Sequence, residues 1–169
     1  MRLISVKTIV VVGLIFICSV NNYAQDWATS QGSCYAKGEK IIDAGMPFPF
    51  FQVGVHGAFD YGFSDAISGG GGIGFKHYYW WGENYVTFVG RAAFHPFNLK
   101  VLSDKIRVRD IFDVYAGPTF YFGPGLGNDP EWGIREFIGA RWFFAPKMAL
   151  VLEDCPGFGY LDVGVSFKL

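Results

Sequence analysis

Apolar and polar side chains alternate along this chain in runs of about ten residues, separated by clusters of Gly, Pro, Asn and Asp. The clearest run is residues 160–169, with Leu161, Val163, Val165, Phe167 and Leu169 on one side and Asp162, Gly164, Ser166 and Lys168 on the other. Period-two alternation marks a strand with one apolar and one polar face. The same rule predicts a first strand over 39–46, where Ile42, Ala44 and Met46 oppose Asp43 and Gly45 until Pro47-Phe48-Pro49 ends it. A second covers 51–63, with Val53, Val55, Phe59 and Tyr61 against Gln52, His56 and Asp60. A third covers 67–79, with Ile73, Phe75 and Tyr79 against Lys76 and Tyr78. A fourth covers 85–95, with Val86, Phe88 and Phe94 against Thr87, Arg91 and His95. In the fifth, 109–122, Phe112, Val114, Phe120 and Phe122 oppose Asp113, Tyr115, Thr119 and Tyr121, and Ile111 breaks phase. The sixth, 132–144, sets Ile134, Ile138, Trp142 and Phe144 against Arg135, Gly139 and Arg141. Met148, Leu150 and Leu152 then oppose Glu153 in a seventh.

A strand that runs to the last residue needs a partner, or it leaves an open edge. Pairing it with the first strand closes a barrel. An even number of strands, each long enough to cross a bilayer at a tilt, is the outer-membrane pattern. The expected fold is all-β: an eight-stranded antiparallel up-and-down transmembrane β-barrel over residues 39–169, with both termini periplasmic. The turns at 64–66 and 145–147 are short, whereas 123–131 and 154–157 are longer and rich in Gly and Pro. That alternation suits periplasmic turns and outer loops. The connection Pro96 to Arg107 departs from it, being long where a short turn is expected.

The period does not say which face meets lipid. A soluble periplasmic barrel carrying a lipid would hide its apolar face inside, and that alternative stays open. Three features favour a membrane. The apolar faces are almost free of charge. The opposite faces hold a sparse mixture, Asp60, Lys76, Arg91, Asp113, Arg135, Arg141, Glu153, Asp162 and Lys168, which suits a lumen closed by internal ion pairs. Aromatics gather near strand ends, at Tyr78, Tyr79, Trp80, Trp81, Tyr85, Trp132, Trp142, Phe143 and Phe144, where membrane girdles sit.

Composition narrows the picture. Hydrophobic residues make up 51% of the chain and aromatics 19%, with 23 glycines. Only the N-terminus carries a long apolar run. Arg2 and Lys7 precede Thr8 to Val20, and Asn22-Tyr23-Ala24 offers a cleavage site, so residues 1–24 read as a secretory signal. A retained anchor and a lipoprotein signal at Cys18 are the other readings. The first is short for a span of roughly 20 residues, and the second has bulky Phe16 and Ile17 ahead of the cysteine. Residues 25–38 read as a polar, unpatterned and loose N-terminal segment. The net charge of −1 gives no support for nucleic-acid binding.

Several segments together, Gly90-Arg-Ala-Ala-Phe-His95, Asp113-Val-Tyr-Ala-Gly117, Gly139-Ala-Arg-Trp-Phe-Phe144 and Tyr160 to Leu169, resemble the small outer-membrane β-barrel proteins of the Bacteroides and Flavobacterium group. The Gln that follows the cleavage point is similar too. The resemblance covers most of the mature chain and implies a fold and an outer-membrane location, with no defined activity. It also implies that Tyr160, Phe167 and Leu169 form the terminal signal read by the barrel-assembly machinery, with Leu169 in place of the usual final aromatic.

Candidate chemistry is thin. Gly69 to Gly72 lack the Lys-Ser or Lys-Thr and the helix of a phosphate loop, so they are expected to relieve crowding on a curved strand. His56, His77 and His95 lack close spacing, and no metal site or cofactor is expected. No serine sits in a Gly-x-Ser-x-Gly setting. A lipid-modifying enzyme using His with Ser or Asp is therefore an alternative rather than the expectation, which is that the protein is not an enzyme. The most specific pair is Arg141 with Glu153: the turn at Pro146 sets Glu153 opposite Gly139 and diagonal to Arg141, an expected structural ion pair in the lumen. Asp60, Lys76, Arg91, Asp113 and Arg135 are the other expected lumen charges. Cys34 and Cys155 fall at opposite ends of such a barrel, too far apart for a disulfide. Eight strands leave an interior just wide enough for side chains, so a general porin is not expected. The expected role is structural or surface-interaction, with outer-membrane lipid and the barrel-assembly machinery as partners and an extracellular ligand reached through the outer loops.

Overall fold

The computed structural model describes residues 34–48, 52–99 and 110–169. The signal segment, most of the polar N-terminal segment, Phe51, Arg109 and most of the Pro96 to Arg107 connection lie outside the described residues. Eight strands follow in order: β1 (Lys40–Pro47), β2 (Gln52–Gly62), β3 (Ile67–Tyr78), β4 (Glu83–Phe94), β5 (Phe112–Gly123), β6 (Glu131–Ala145), β7 (Met148–Cys155) and β8 (Gly159–Lys168). Each pairs antiparallel with its neighbours in sequence, and β1 pairs with β8, so the sheet is a closed barrel without an edge. The end where the chain enters β1 and leaves β8 is called proximal, and the opposite end distal.

The alternation sets the two surfaces. Outward residues are apolar and exposed: Ile134 at 73%, Val55 at 60%, with Ile73, Phe88, Phe120 and Leu152. Inward residues include buried Asp43, Asp60, Lys76, Arg91, Asp113, Arg141, Glu153 and Asp162. This is the reverse of a soluble barrel, and it is the arrangement a transmembrane barrel requires, because hydrocarbon tolerates apolar surface and penalises charge. Ile111, out of phase with Phe112, lies just before β5 and is buried; its carbonyl accepts from the Phe143 N–H at 2.8 Å.

Two expectations need correction. Tyr79, Trp80, Trp81, Trp132 and Phe144 are exposed, but Tyr85 and Phe143 are buried and Tyr78 half-buried. Those three have inward parity, so nearness to a strand end does not place them in a girdle. The N-terminal segment is not loose in its described part either. Cys34 packs with Phe143 and Ala149, and Tyr35 is 1% exposed. The Gly38 N–H donates to the Gly62 carbonyl at 2.8 Å. The connection after β4 begins with a 3-10 turn, Pro96–Asn98, and Asn98 Nδ2 donates to the Tyr35 carbonyl at 3.0 Å. Segment and turn are thus bonded to each other and to the proximal ends of the strands.

The glycine run of β3 has a packing cause. A methyl group at Gly72 would lie 2.7 Å from the Phe158 ring, and one at Gly74 3.1 Å from it. The loop between β7 and β8 uses that room to send Phe158 into the lumen, where it is 2% exposed.

Candidate functional site

The lumen is filled in layers. Proximally, His95 of β4's end stacks under Tyr35, ring centroids 3.6 Å apart. Its Nδ1 lies 2.8 Å from Asp113 Oδ1, so this nitrogen carries the proton, and its Nε2 lies 3.0 Å from Ser68 Oγ. The Tyr35 hydroxyl donates to the Ile67 carbonyl at 2.9 Å. Burial holds the Tyr35 phenol above its usual range. Burial, reinforced by the nearby Asp113 charge, pushes the Cys34 thiol well up. Both groups are therefore neutral at physiological pH, and Cys34 is a poor nucleophile.

Next comes an ionic layer centred on two arginines. Arg91 donates to Asp60 Oδ2 and Glu153 Oε1, each at 2.6 Å, and to Asp43 Oδ2 at 2.8 Å. Arg141 donates to Asp43 Oδ2 at 2.6 Å and Asp60 Oδ2 at 2.7 Å, and its Nη1 lies 3.5 Å from Asp113 Oδ2. Ser166 Oγ donates to Asp43, and the Tyr115 hydroxyl to Glu153 Oε2 at 2.7 Å. The Arg141 guanidinium also lies 4.2 Å from the Tyr115 ring centroid. The planar fork of arginine, with five donors, can serve several carboxylates at once. The strands supply these groups from all sides of the barrel, which is why sequence neighbours do not predict the partners.

Beyond this layer lies an apolar belt of Ala58, Val89, Phe137, Cys155 and Phe158. Phe158 stacks on His56 with centroids 4.3 Å apart. Distal to the belt the lining turns polar again. Lys76 reaches across to Glu131 and sits 5.4, 5.8 and 6.0 Å from the ring centroids of Tyr78, Tyr85 and Tyr121. His56 Nδ1 lies 3.5 Å from Asp162 Oδ1. A cavity of about 70 Å³ opens at the mouth, lined by Gln52, Tyr78, Tyr121, Glu131, Arg135 and Tyr160 among others.

Arg141 and Glu153 do not pair with each other. Glu153 sits opposite Gly139 in the β6–β7 register, but the space above Gly139 is taken by the Tyr115 ring. Glu153 therefore turns to Arg91, and Arg141 to the aspartates. Asp60, Lys76, Arg91 and Asp113 are all buried in the lumen, whereas Arg135 has lumen parity but is exposed at the distal mouth. Asp43, which like Asp60 is shared by both arginines, was missing from the expected set; its position on the polar side of β1 is the signal that identifies it. Ser68, Tyr115 and Phe158 were missing as well. His77 Nδ1 lies 3.0 Å from Asn84 Oδ1 and braces the β3–β4 connection. Among the described residues no group of three or more His, Cys, Asp or Glu has metal-binding geometry. Cys34 and Cys155 are both free and belong to separate clusters, proximal and belt. Phe167 and Leu169 of the terminal strand are exposed proximally, and Tyr160 is exposed distally.

No family model and no curated protein matches the sequence. Among solved structures, the chain is similar to the outer membrane protein OprG from Pseudomonas aeruginosa, at 9% identity and TM-score 0.52, covering 80% of this chain and 97% of that one. It is also similar to a barrel from the de novo design of transmembrane beta-barrels, at 16% identity and TM-score 0.46, covering 79% and 97%. At 9% identity the likeness to OprG concerns the fold: an eight-stranded barrel of the outer-membrane type.

Proposed function

We propose that this protein is a small outer-membrane β-barrel with a structural or surface-interaction role, and that its lumen is closed to general diffusion. The observation that carries the reading is the inverted polarity: an apolar outer surface around an interior filled by the arginine–carboxylate layer and the Phe158 belt. Residues 1–24 act as the export signal, and the proximal end with both termini faces the periplasm. The terminal strand, with Tyr160, Phe167 and Leu169, serves the barrel-assembly machinery. The motifs quoted above favour an origin in the Bacteroides and Flavobacterium group. Exposed Trp80, Trp81, Leu126 and Trp132 at the distal end offer a surface for an extracellular partner. A soluble lipid carrier would need an apolar cavity in place of a lumen crowded with paired charges.

Purified protein reconstituted into planar bilayers should give no steady conductance. A stable open channel of porin size would defeat the closed-lumen reading.

One observation favours a second reading, an enzyme. Ser68, His95 and Asp113 are connected as in a hydrolase triad, with the histidine oriented by a carboxylate. Against it, Ser68 and His95 are 1% and 0% exposed beneath the Tyr35 ring, so no acyl group reaches the serine. A serine-reactive phosphonate that labels the folded wild-type barrel but not Ser68→Ala would favour the enzyme.

A further inference from the structure

The lumen carries more acid than base. Between the Lys168–Glu39 pair at the proximal mouth and Arg135 at the distal one lie six carboxylates, Asp43, Asp60, Asp113, Glu131, Glu153 and Asp162, and three fixed cations, Lys76, Arg91 and Arg141. Five of the carboxylates are engaged by those cations. Asp162 is not. It is 2% exposed, and neither of its carboxylate oxygens has a hydrogen-bond partner.

The neighbours of Asp162 have the same shortage. Gln52, also 2% exposed, donates through Nε2 to the Phe158 carbonyl at 3.3 Å, but its Oε1 is unpartnered. Gly159 joins the two side chains: a methyl group there would lie 3.1 Å from Asp162 Oδ1 and press on Gln52 Nε2. Gln52 and Gly159 both line the distal cavity. The unpartnered His56 Nδ1 beside Asp162 adds a further nitrogen to the set. A buried carboxylate left unpaired is costly, and what this site lacks is donors and positive charge.

The same end of the lumen already shows how it holds an ammonium group. Lys76 Nζ is held by one carboxylate, Glu131, within reach of three tyrosine rings, an arrangement that stabilises a cation electrostatically. Asp162 is a second carboxylate, joined through Gly159 and Gln52 to a cavity lined by Tyr78, Tyr121, Tyr160, Glu131 and Arg135. We propose that the distal lumen binds a primary ammonium group, with Asp162 and the Gln52 amide oxygen accepting its N–H donors. The cavity of about 70 Å³ holds roughly two waters' worth of volume, enough for a methylammonium-sized head on a solute entering from the distal mouth. Water could fill the space but would bring no positive charge to the carboxyl group. The proposal does not rest on the surface-interaction reading.

The test titrates methylammonium chloride into the full-length barrel, folded in detergent free of amine lipids and amine buffers, by calorimetry. Sodium chloride and tetramethylammonium chloride run as parallel arms, the second having no N–H donor. Saturable methylammonium binding is expected, weakened at least tenfold in both Asp162→Asn and Gln52→Met and unchanged in Lys147→Gln at the proximal turn. Gln52→Met decides if Asp162→Asn does not fold. Three results would each overturn the proposal: no saturable methylammonium binding by folded wild type, equal binding of sodium or tetramethylammonium, or full affinity in both variants.

Discussion

The proximal and distal halves of the lumen use the same residue types and end in opposite states. Proximally, Arg91 and Arg141 each bond to two or more carboxylates, and Ser166 and Tyr115 fill further acceptor positions. Distally, Asp162 and Gln52 are as deeply enclosed, yet they and the half-buried His56 retain unpartnered atoms. Buried charge is tolerated where its hydrogen bonds are complete and is expensive where they are not. The proximal layer therefore reads as the structural plug that fixes the barrel. The distal layer leaves buried polar atoms unpaired, a local cost of the kind functional sites commonly carry. The Phe158 belt lies between the two.

That contrast is open to direct attack by mutation, with unfolding in urea from lipid vesicles as the readout. The largest effect belongs to Arg141→Ala, which leaves Asp43 and Asp60 to share the single Arg91 guanidinium and should cost about 3–5 kcal/mol. Pairing Arg141→Met with Asp43→Leu should recover part of that loss; a double variant as unstable as the sum of the singles would mean that the layer is not a coupled network. Phe158→Ala opens the belt and should cost about 3 kcal/mol. Tyr115→Phe leaves Glu153 with one donor fewer and should cost about 1–3 kcal/mol. The smallest effect is expected at Asp162→Asn, and its sign is reversed. Removing an unpaired buried charge should leave stability within about 1 kcal/mol of wild type or raise it. A large loss there would show that Asp162 is a proximal-type structural carboxylate.

The fold was legible because alternation reports which face each residue occupies whatever its distant neighbours. It placed the terminal strand, the Pro146 turn and the opposition of Glu153 to Gly139. Partner choice across the lumen was not legible. Asp43 and Arg141 are 98 residues apart in sequence and meet only because the barrel closes. Asp43 has the polar parity of β1 in the sequence, but parity does not say which cations it meets across the lumen. Phe158 sits in a loop, where periodicity carries no information, although Gly70, Gly72 and Gly74 on one face of β3 leave a gap that some side chain must fill. Tyr85 and Phe143 show that, for aromatics near strand ends, parity is a better guide than position along the strand.

The central claim is that the apolar face meets lipid and the charged face is enclosed. The most direct measurement is gel mobility of the cell's outer-membrane fraction in detergent, unboiled against boiled. The account predicts that the protein is found in that fraction and that its unboiled form migrates as a compact species, shifting on boiling. A protein recovered in the soluble fraction with one heat-independent band would contradict it.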